Sequence, residues 1–123
     1  MTTMAQFSQS CEPALIDRSA VLDRVGGDED LLREITSIFL DDYPNLIAEI
    51  EAAVDKKDGK LLERAAHSLK GSVSNFGAQA ATQASWRLES MARKGNLDEA
   101  EAALQDLKEQ FQLLRPALSD LIA

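Results

Sequence analysis

The chain has 123 residues, of which 45% are apolar and only 5% aromatic, and it carries a formal net charge of −8. That length fits one domain around one core and is too short for two independent catalytic domains. Acidity of this order makes a phosphate backbone or an anionic membrane a poor partner, so neither nucleic acid nor membrane binding is expected.

Ala, Leu, Glu, Gln and Lys dominate, and no alternating apolar run is bounded by turn residues, so an all-α fold is expected. Residues 1–14 are polar, contain Pro13, and read as a disordered or loosely packed tail. Cys11 is the one cysteine, which rules out an intramolecular disulfide and is consistent with a reducing compartment. The N-terminus lacks the charged-then-apolar layout of a signal peptide, and no apolar run reaches the length of a membrane span. A cytoplasmic monomer is therefore expected.

The helical pattern occupies residues 15–123. Asp17 can cap a short helix through Ala20, Val21, Leu22 and Val25, stopped by Gly26-Gly27. Asp28 is a suitable cap for the next helix, with Glu29 and Asp30 in the first turn, where the helix dipole favours negative charge. Its pattern buries Leu31, Ile35, Ile38 and Phe39, and Pro44 predicts a kink or brief break near Asp42–Tyr43. Helical spacing resumes through Leu46, Ile47, Ile50 and Val54, and Asp58-Gly59 forms a turn. The following helix runs to about Asn75–Gly77. Another spans about Ala78 to Lys94 and stops at Gly95. Asn96 with Glu99 resembles a capping box, and the last helix carries Leu97, Ala100, Leu104, Leu107, Phe111 and Leu114 before a kink expected at Pro116. Four long amphipathic helices with short connections predict an antiparallel four-helix bundle with a short extra N-terminal helix.

The third of these helices holds the most informative stretch. Leu61, Leu62, Ala65, Leu69, Val73 and Phe76 recur at helical spacing and fall inside an arc of about 120°. His67, the one histidine, points to the opposite side, among Lys60, Glu63, Arg64, Lys70, Gly71 and Ser74. Residues 56–75 hold four Lys and one Arg against one Asp and one Glu, a local net of +3 in an acidic chain. This cluster is either an ordinary solvated face or a patch suited to an anion. A lone histidine is more often structural, but a core histidine should face the apolar stripe, and this one faces away. Neutral imidazole is a nucleophile near physiological pH. Lys70, one turn on, can attract a phosphoryl group, and Gly71 removes side-chain bulk where another protein could approach. A mid-helix glycine costs about 1 kcal/mol relative to alanine, so its presence is either drift or a requirement for clearance.

Other chemistries lack support. No GxxxxGK[ST] or GxGxxG loop and no Gly-x-Ser-x-Gly elbow occurs. One His and one Cys cannot build a histidine- or thiolate-rich metal cluster, so no metal ligands are expected.

The run Ala66-His67-Ser68-Leu69-Lys70-Gly71, followed by Asn75, Gly77 and Ala78, resembles the histidine-containing phosphotransfer (HPt) domains of bacterial two-component phosphorelays. Ile16-Asp17, Gly27-Asp28, Phe39 through Pro44, Leu88-Glu89 and Ala92 through Gly95 extend the resemblance over residues 15–118. It implies a four-helix bundle whose exposed histidine accepts a phosphoryl group from a receiver-domain aspartate and passes it to another. His67 matches the phosphorylated position, Lys70 the phosphate-neutralising lysine, and Gly71 the small residue that lets the receiver dock. Glu89 falls where several members carry a Gln that touches the histidine, which implies a hydrogen bond to the ring. Arg93, one turn further, either faces the receiver or is an ordinary surface arginine. Ser74, Glu89 and Arg93 with Gly71 make up the expected docking surface. The implied protein is a phosphocarrier without kinase activity of its own. It needs no cofactor, Mg²⁺ being expected on the receiver alone, and its partners are response-regulator receivers of a hybrid histidine kinase and of a downstream regulator. Two alternatives stay open: a histidine-kinase dimerisation module, and a helical adaptor that is never phosphorylated. Against the first, Ser68 rather than an acidic residue follows His67, and no proline lies between Pro44 and Pro116.

Overall fold

A computed structural model describes residues 15–123; the expected tail 1–14, with Cys11, lies outside the described residues. Five helices follow in order: α1 (Arg18–Arg24), α2 (Glu29–Lys56), α3 (Gly59–Ser74), α4 (Gln79–Lys94) and α5 (Ala100–Leu121). No strand occurs among the described residues. Each long helix packs on the next, and α5 returns to α2, so α2 to α5 close a four-membered ring while the short α1 leans on α2. Neighbours run antiparallel: Glu63 on α3 meets Arg93 on α4 while His67 meets Glu89, and Tyr43 on α2 meets Arg115 on α5 while Glu51 meets Lys108. The expected bundle with its extra N-terminal helix is what forms.

Local chemistry explains where the helices start and stop. The Asp28 carboxylate accepts from the amides of Asp30 and Leu31 at 3.1 Å each, and Asp58 does the same for Leu61 at 3.1 Å. These bonds occupy amides that a helix start leaves without partners. At the end of α4, Gly95 takes φ 71°, and the Asn96 amide closes onto the Met91 carbonyl at 3.0 Å. This Schellman turn needs a left-handed residue, which glycine adopts without a steric penalty. Asn96 and Glu99 do not form the expected capping box. The Asn96 side chain accepts from Asp98 N instead, and α5 begins only at Ala100, after an end without a side-chain cap.

The core fills with Leu32, Ile50, Leu62, Leu69, Leu88, Leu107, Leu114 and Leu118, all fully buried or within 1% of it. Phe39, Tyr43, Phe76 and Phe111 pack together, with ring centroids 5.0 Å apart for Phe39–Phe76 and 4.9 Å for Tyr43–Phe111. Two expectations for α2 are corrected. Its buried stripe is Leu32, Thr36, Phe39, Tyr43, Ile50 and Val54, whereas Leu31 and Ile38 are exposed and Ile35 is only half-buried. Nor does α2 break near Pro44. Phe39 and Tyr43 before the proline stay in phase with Ile50 and Val54 after it, so a break would pull one half of the stripe from the core. Pro116 likewise lies inside an uninterrupted α5, between buried Leu114 and Leu118. No helix among the described residues is long and apolar enough to cross a membrane.

The seam between α3 and α4 is built from small residues. Ala65 and Ala66 on α3 and Ala81, Ala84, Ser85 and Ala92 on α4 are all buried. Small side chains let two helix backbones approach closely. Polar residues at the edge of this seam are therefore brought within contact distance.

Candidate functional site

His67 sits in the middle of α3 with its side chain 65% exposed. It stands outside the stripe of Leu62, Ala65, Ala66, Leu69 and Val73, as the spacing predicts. Across the seam, Glu89 is only 1% exposed, yet it is charged and lies directly beside the ring. Its Oε2 is 3.0 Å from His67 Nδ1. A carboxylate can only accept, so Nδ1 carries the hydrogen and Nε2 keeps its lone pair on the exposed side of the ring.

Two cations converge on the same carboxylate. Arg93 Nη2 donates to Oε2 at 2.6 Å. Lys70 Nζ stands 2.8 Å from Oε1, close enough for an ion pair but off the line of a well-directed hydrogen bond. Arg93 also donates through Nε to Glu63 at 3.1 Å, which ties α4 back to α3 one turn before His67. Burial pushes the Glu89 carboxyl up, but the contacts and charges of Lys70 and His67 outweigh it and hold the group below its ordinary value. Glu63 and then Glu89 push the Arg93 guanidinium further up. The buried acid is thus ionised and compensated, the condition under which a buried charge is tolerated.

Lys60, Glu63, Arg64, His67, Glu89 and Arg93 line an open depression of about 530 Å³ on this face. A phosphate-sized anion reaching Nε2 enters a surface that is basic around the ring and anchored on one acid beneath it.

Gly71 lies on α3, one turn beyond His67, and a Cβ placed there would meet nothing within 4 Å beyond its own stretch of helix backbone. The glycine therefore answers to no packing contact among the described residues. Ser74 is exposed beside it, its hydroxyl turned back to the Gly71 carbonyl at 3.0 Å. Of the residues expected on a docking surface, Gly71, Ser74 and Arg93 are exposed. Glu89 is not: it lies beneath that surface and reaches it only through His67, Lys70 and Arg93.

One residue given no role by the pattern belongs to this neighbourhood, and a second lies outside it on α4, lining a separate depression with Arg87, Ser90, Met91 and Lys94. Glu63 fixes Arg93, and the four-residue spacings Glu63–His67 and Glu89–Arg93 are the signal that could have revealed it. Trp86, the one tryptophan, is 54% exposed. With Glu63 opposite Arg93 and His67 opposite Glu89 on antiparallel helices, Trp86 stands level with Lys70 and Gly71.

The chain is similar to known proteins. The family model for the Hpt domain matches residues 34–117. Histidine-containing phosphotransfer protein 1 of Arabidopsis thaliana is 26% identical over 94 residues, which are 75% of this chain and 61% of that protein. Histidine-containing phosphotransfer protein 5 of the same plant is 26% identical over 98 residues, 77% of this chain and 62% of the relative. The chain thus spans about three fifths of the length of these curated relatives. The crystal structure of histidine-containing phosphotransfer protein B (HptB) from Pseudomonas aeruginosa PAO1 superposes with a TM-score of 0.81 at 26% identity, covering 89% of this chain and 95% of that one. The matched stretch takes in more than half of the chain, including both helices that build the site, and the chain belongs to the Hpt domain family.

Proposed function

We propose that this protein is a phosphorelay phosphocarrier in which His67 takes a phosphoryl group from a receiver-domain aspartate and hands it to a second receiver. The observation that carries this reading is the His67 ring, 65% exposed with Nδ1 bound at 3.0 Å to a buried carboxylate. That bond orients the ring and leaves Nε2 as the nucleophile. In the forward step the Nε2 lone pair attacks the phosphorus of the aspartyl phosphate. The P–N bond forms, the P–O bond to the aspartate breaks, and the carboxylate leaves with that electron pair. The onward step reverses this on another receiver.

Lys70 offsets charge on the arriving phosphoryl group, which brings nearly two negative charges by analogy with other phosphorylated side chains. Gly71 gives the receiver clearance. The receiver is to supply Mg²⁺ and the remaining catalytic groups, so this chain needs no cofactor and no kinase activity of its own. On this reading it acts as a monomer in the cytoplasm, between the receiver of a hybrid histidine kinase and that of a downstream regulator.

Incubation with a phosphorylated receiver in the absence of ATP tests the proposal. Label should appear on the wild type and be absent from His67→Gln, which should stay folded because the side chain is mostly exposed and the Gln amide can still donate to Glu89. Label surviving in that variant would move the site elsewhere. No label on the wild type from any receiver would favour a pure adaptor.

A further inference from the structure

We propose that Glu89 makes phosphorylated His67 short-lived and donor-biased, by keeping Nδ1 protonated and by holding Lys70 away from the phosphoryl group. This deepens the phosphocarrier reading and rests on it. Its basis is the identity and the surroundings of one buried residue.

A neutral amide at position 89 could also accept from Nδ1, but it would carry no charge. The carboxylate does two things an amide cannot. First, it holds the Nδ1 hydrogen in a charge-assisted bond at 3.0 Å. When the P–Nε2 bond breaks, its electron pair returns to Nε2. With Nδ1 protonated, the ring departs as neutral imidazole; without that proton it must depart as an anion, a far poorer leaving group. Whether the acceptor is an aspartate oxygen or water, the departure is the same, so both reactions speed up together.

Second, the carboxylate competes for Lys70. Nζ lies 2.8 Å from Oε1, and the lysine is already largely buried, with 27% of its side chain exposed. A phosphoryl group on Nε2 has to share this cation with an acid that was there first. Arg93 limits both effects, because its 2.6 Å bond to Oε2 partly neutralises the acid. The other charged groups facing the ring are Lys60, Glu63, Arg64 and Lys70 from α3, and Arg93 is the one from α4. Among them only Glu89 bonds the ring directly. Glu89 is thus a positioning residue that acts on phosphorus through the imidazole and through Lys70.

The experiment is to phosphorylate the full chain with phosphoramidate, remove the donor, and follow decay of phosphohistidine by phosphorus NMR across a range of pH. Glu89→Gln should lengthen the lifetime near neutral pH by about fivefold, the difference expected between a charged and a neutral hydrogen-bond partner. Arg93→Gln should do the opposite, since a less compensated Glu89 holds the Nδ1 proton more tightly and the lifetime shortens. Arg93 is exposed, so that variant remains informative even if Glu89→Gln folds poorly. A merely structural Glu89 moves neither lifetime. Lifetimes that are unchanged, or that shift in the same direction in both variants, overturn the proposal. If the wild type accepts phosphoryl from a receiver while the variants decay as it does, the Glu89 account alone falls. If the wild type accepts none from any receiver, the phosphocarrier reading falls and this inference with it.

Discussion

Lys70 and Glu89 meet across the α3–α4 seam at 2.8 Å, so the lysine of the site is already paired before any phosphoryl group arrives. Lys70→Ala should therefore have two effects. It removes a compensating charge from a buried acid, and should lower stability by about 1–2 kcal/mol in denaturant unfolding, with Arg93 limiting the loss. It also removes the cation nearest the phosphoryl position, and should slow transfer from a receiver and shorten the phosphohistidine lifetime. Unchanged transfer kinetics at low salt would take Lys70 out of the site.

Gly71 offers a separation of docking from folding. With nothing within 4 Å of a Cβ placed there, Gly71→Ala should raise the stability of the bundle by up to about 1 kcal/mol. Gly71→Gln should fold as well as the parent, yet bind a receiver more weakly and accept phosphoryl from it more slowly. Its reaction with phosphoramidate should be unaltered, because a small donor needs no clearance. Loss of the fold in Gly71→Gln would show that the glycine serves packing after all.

Gly77, six residues later, should behave in the opposite way. It takes φ 69°, and a Cβ there would lie 2.7 Å from the Asp17 Cβ and 3.3 Å from its backbone nitrogen. That nitrogen donates to the Phe76 carbonyl at 2.9 Å, which pins the start of α1 to the α3–α4 turn. Gly77→Ala should cost about 1–3 kcal/mol, read as a lower Tm, while the exposed His67 keeps its reactivity toward phosphoramidate in the folded fraction. An unaltered Tm would mean that α1 can move aside without loss.

Glu89 also predicts how stability depends on pH. Its folded-state pKa lies below the ordinary carboxylate value, so the folded protein holds the acid ionised where the unfolded chain begins to take up a proton. The resulting stabilisation is fully present above the ordinary carboxylate range and is lost as pH falls through the folded value. Denaturant unfolding of wild type and Glu89→Gln should show a stability difference that narrows as the solution is acidified through and below that range. A difference independent of pH would mean that Glu89 is not held as the anion.

Much of this architecture is legible without coordinates because its rules are local. The cap Asp28, the turn at Asp58-Gly59, the stop at Gly95 and the outward direction of His67 depend only on residues within a turn or two of one another. Leu31 and Leu32 mark one boundary of that legibility. They are neighbours of equal hydrophobicity about 100° apart on the helix, and only the actual partner helices decide that Leu32 is the buried one. Pro44 marks another: the local penalty is real, but a stripe anchored on both sides of it outweighs a single lost hydrogen bond. Glu89 is the most instructive case. Its spacing places it at the edge of the α4 polar face, while its burial, its two cationic neighbours and its bond to the His67 ring follow from the register in which α3 and α4 cross.

Trp86 gives the molecule a built-in optical reporter. It is the chain's one indole, just over half exposed, at the level of Lys70 and Gly71 on the neighbouring helix. Indole emission responds to the polarity of its surroundings, so a partner whose footprint reaches from Gly71 to this part of α4 shifts the spectrum without any attached dye. Association can then be timed by stopped-flow fluorescence, separately from the chemistry that follows at His67, and with a His67→Gln chain on which no phosphoryl group can form.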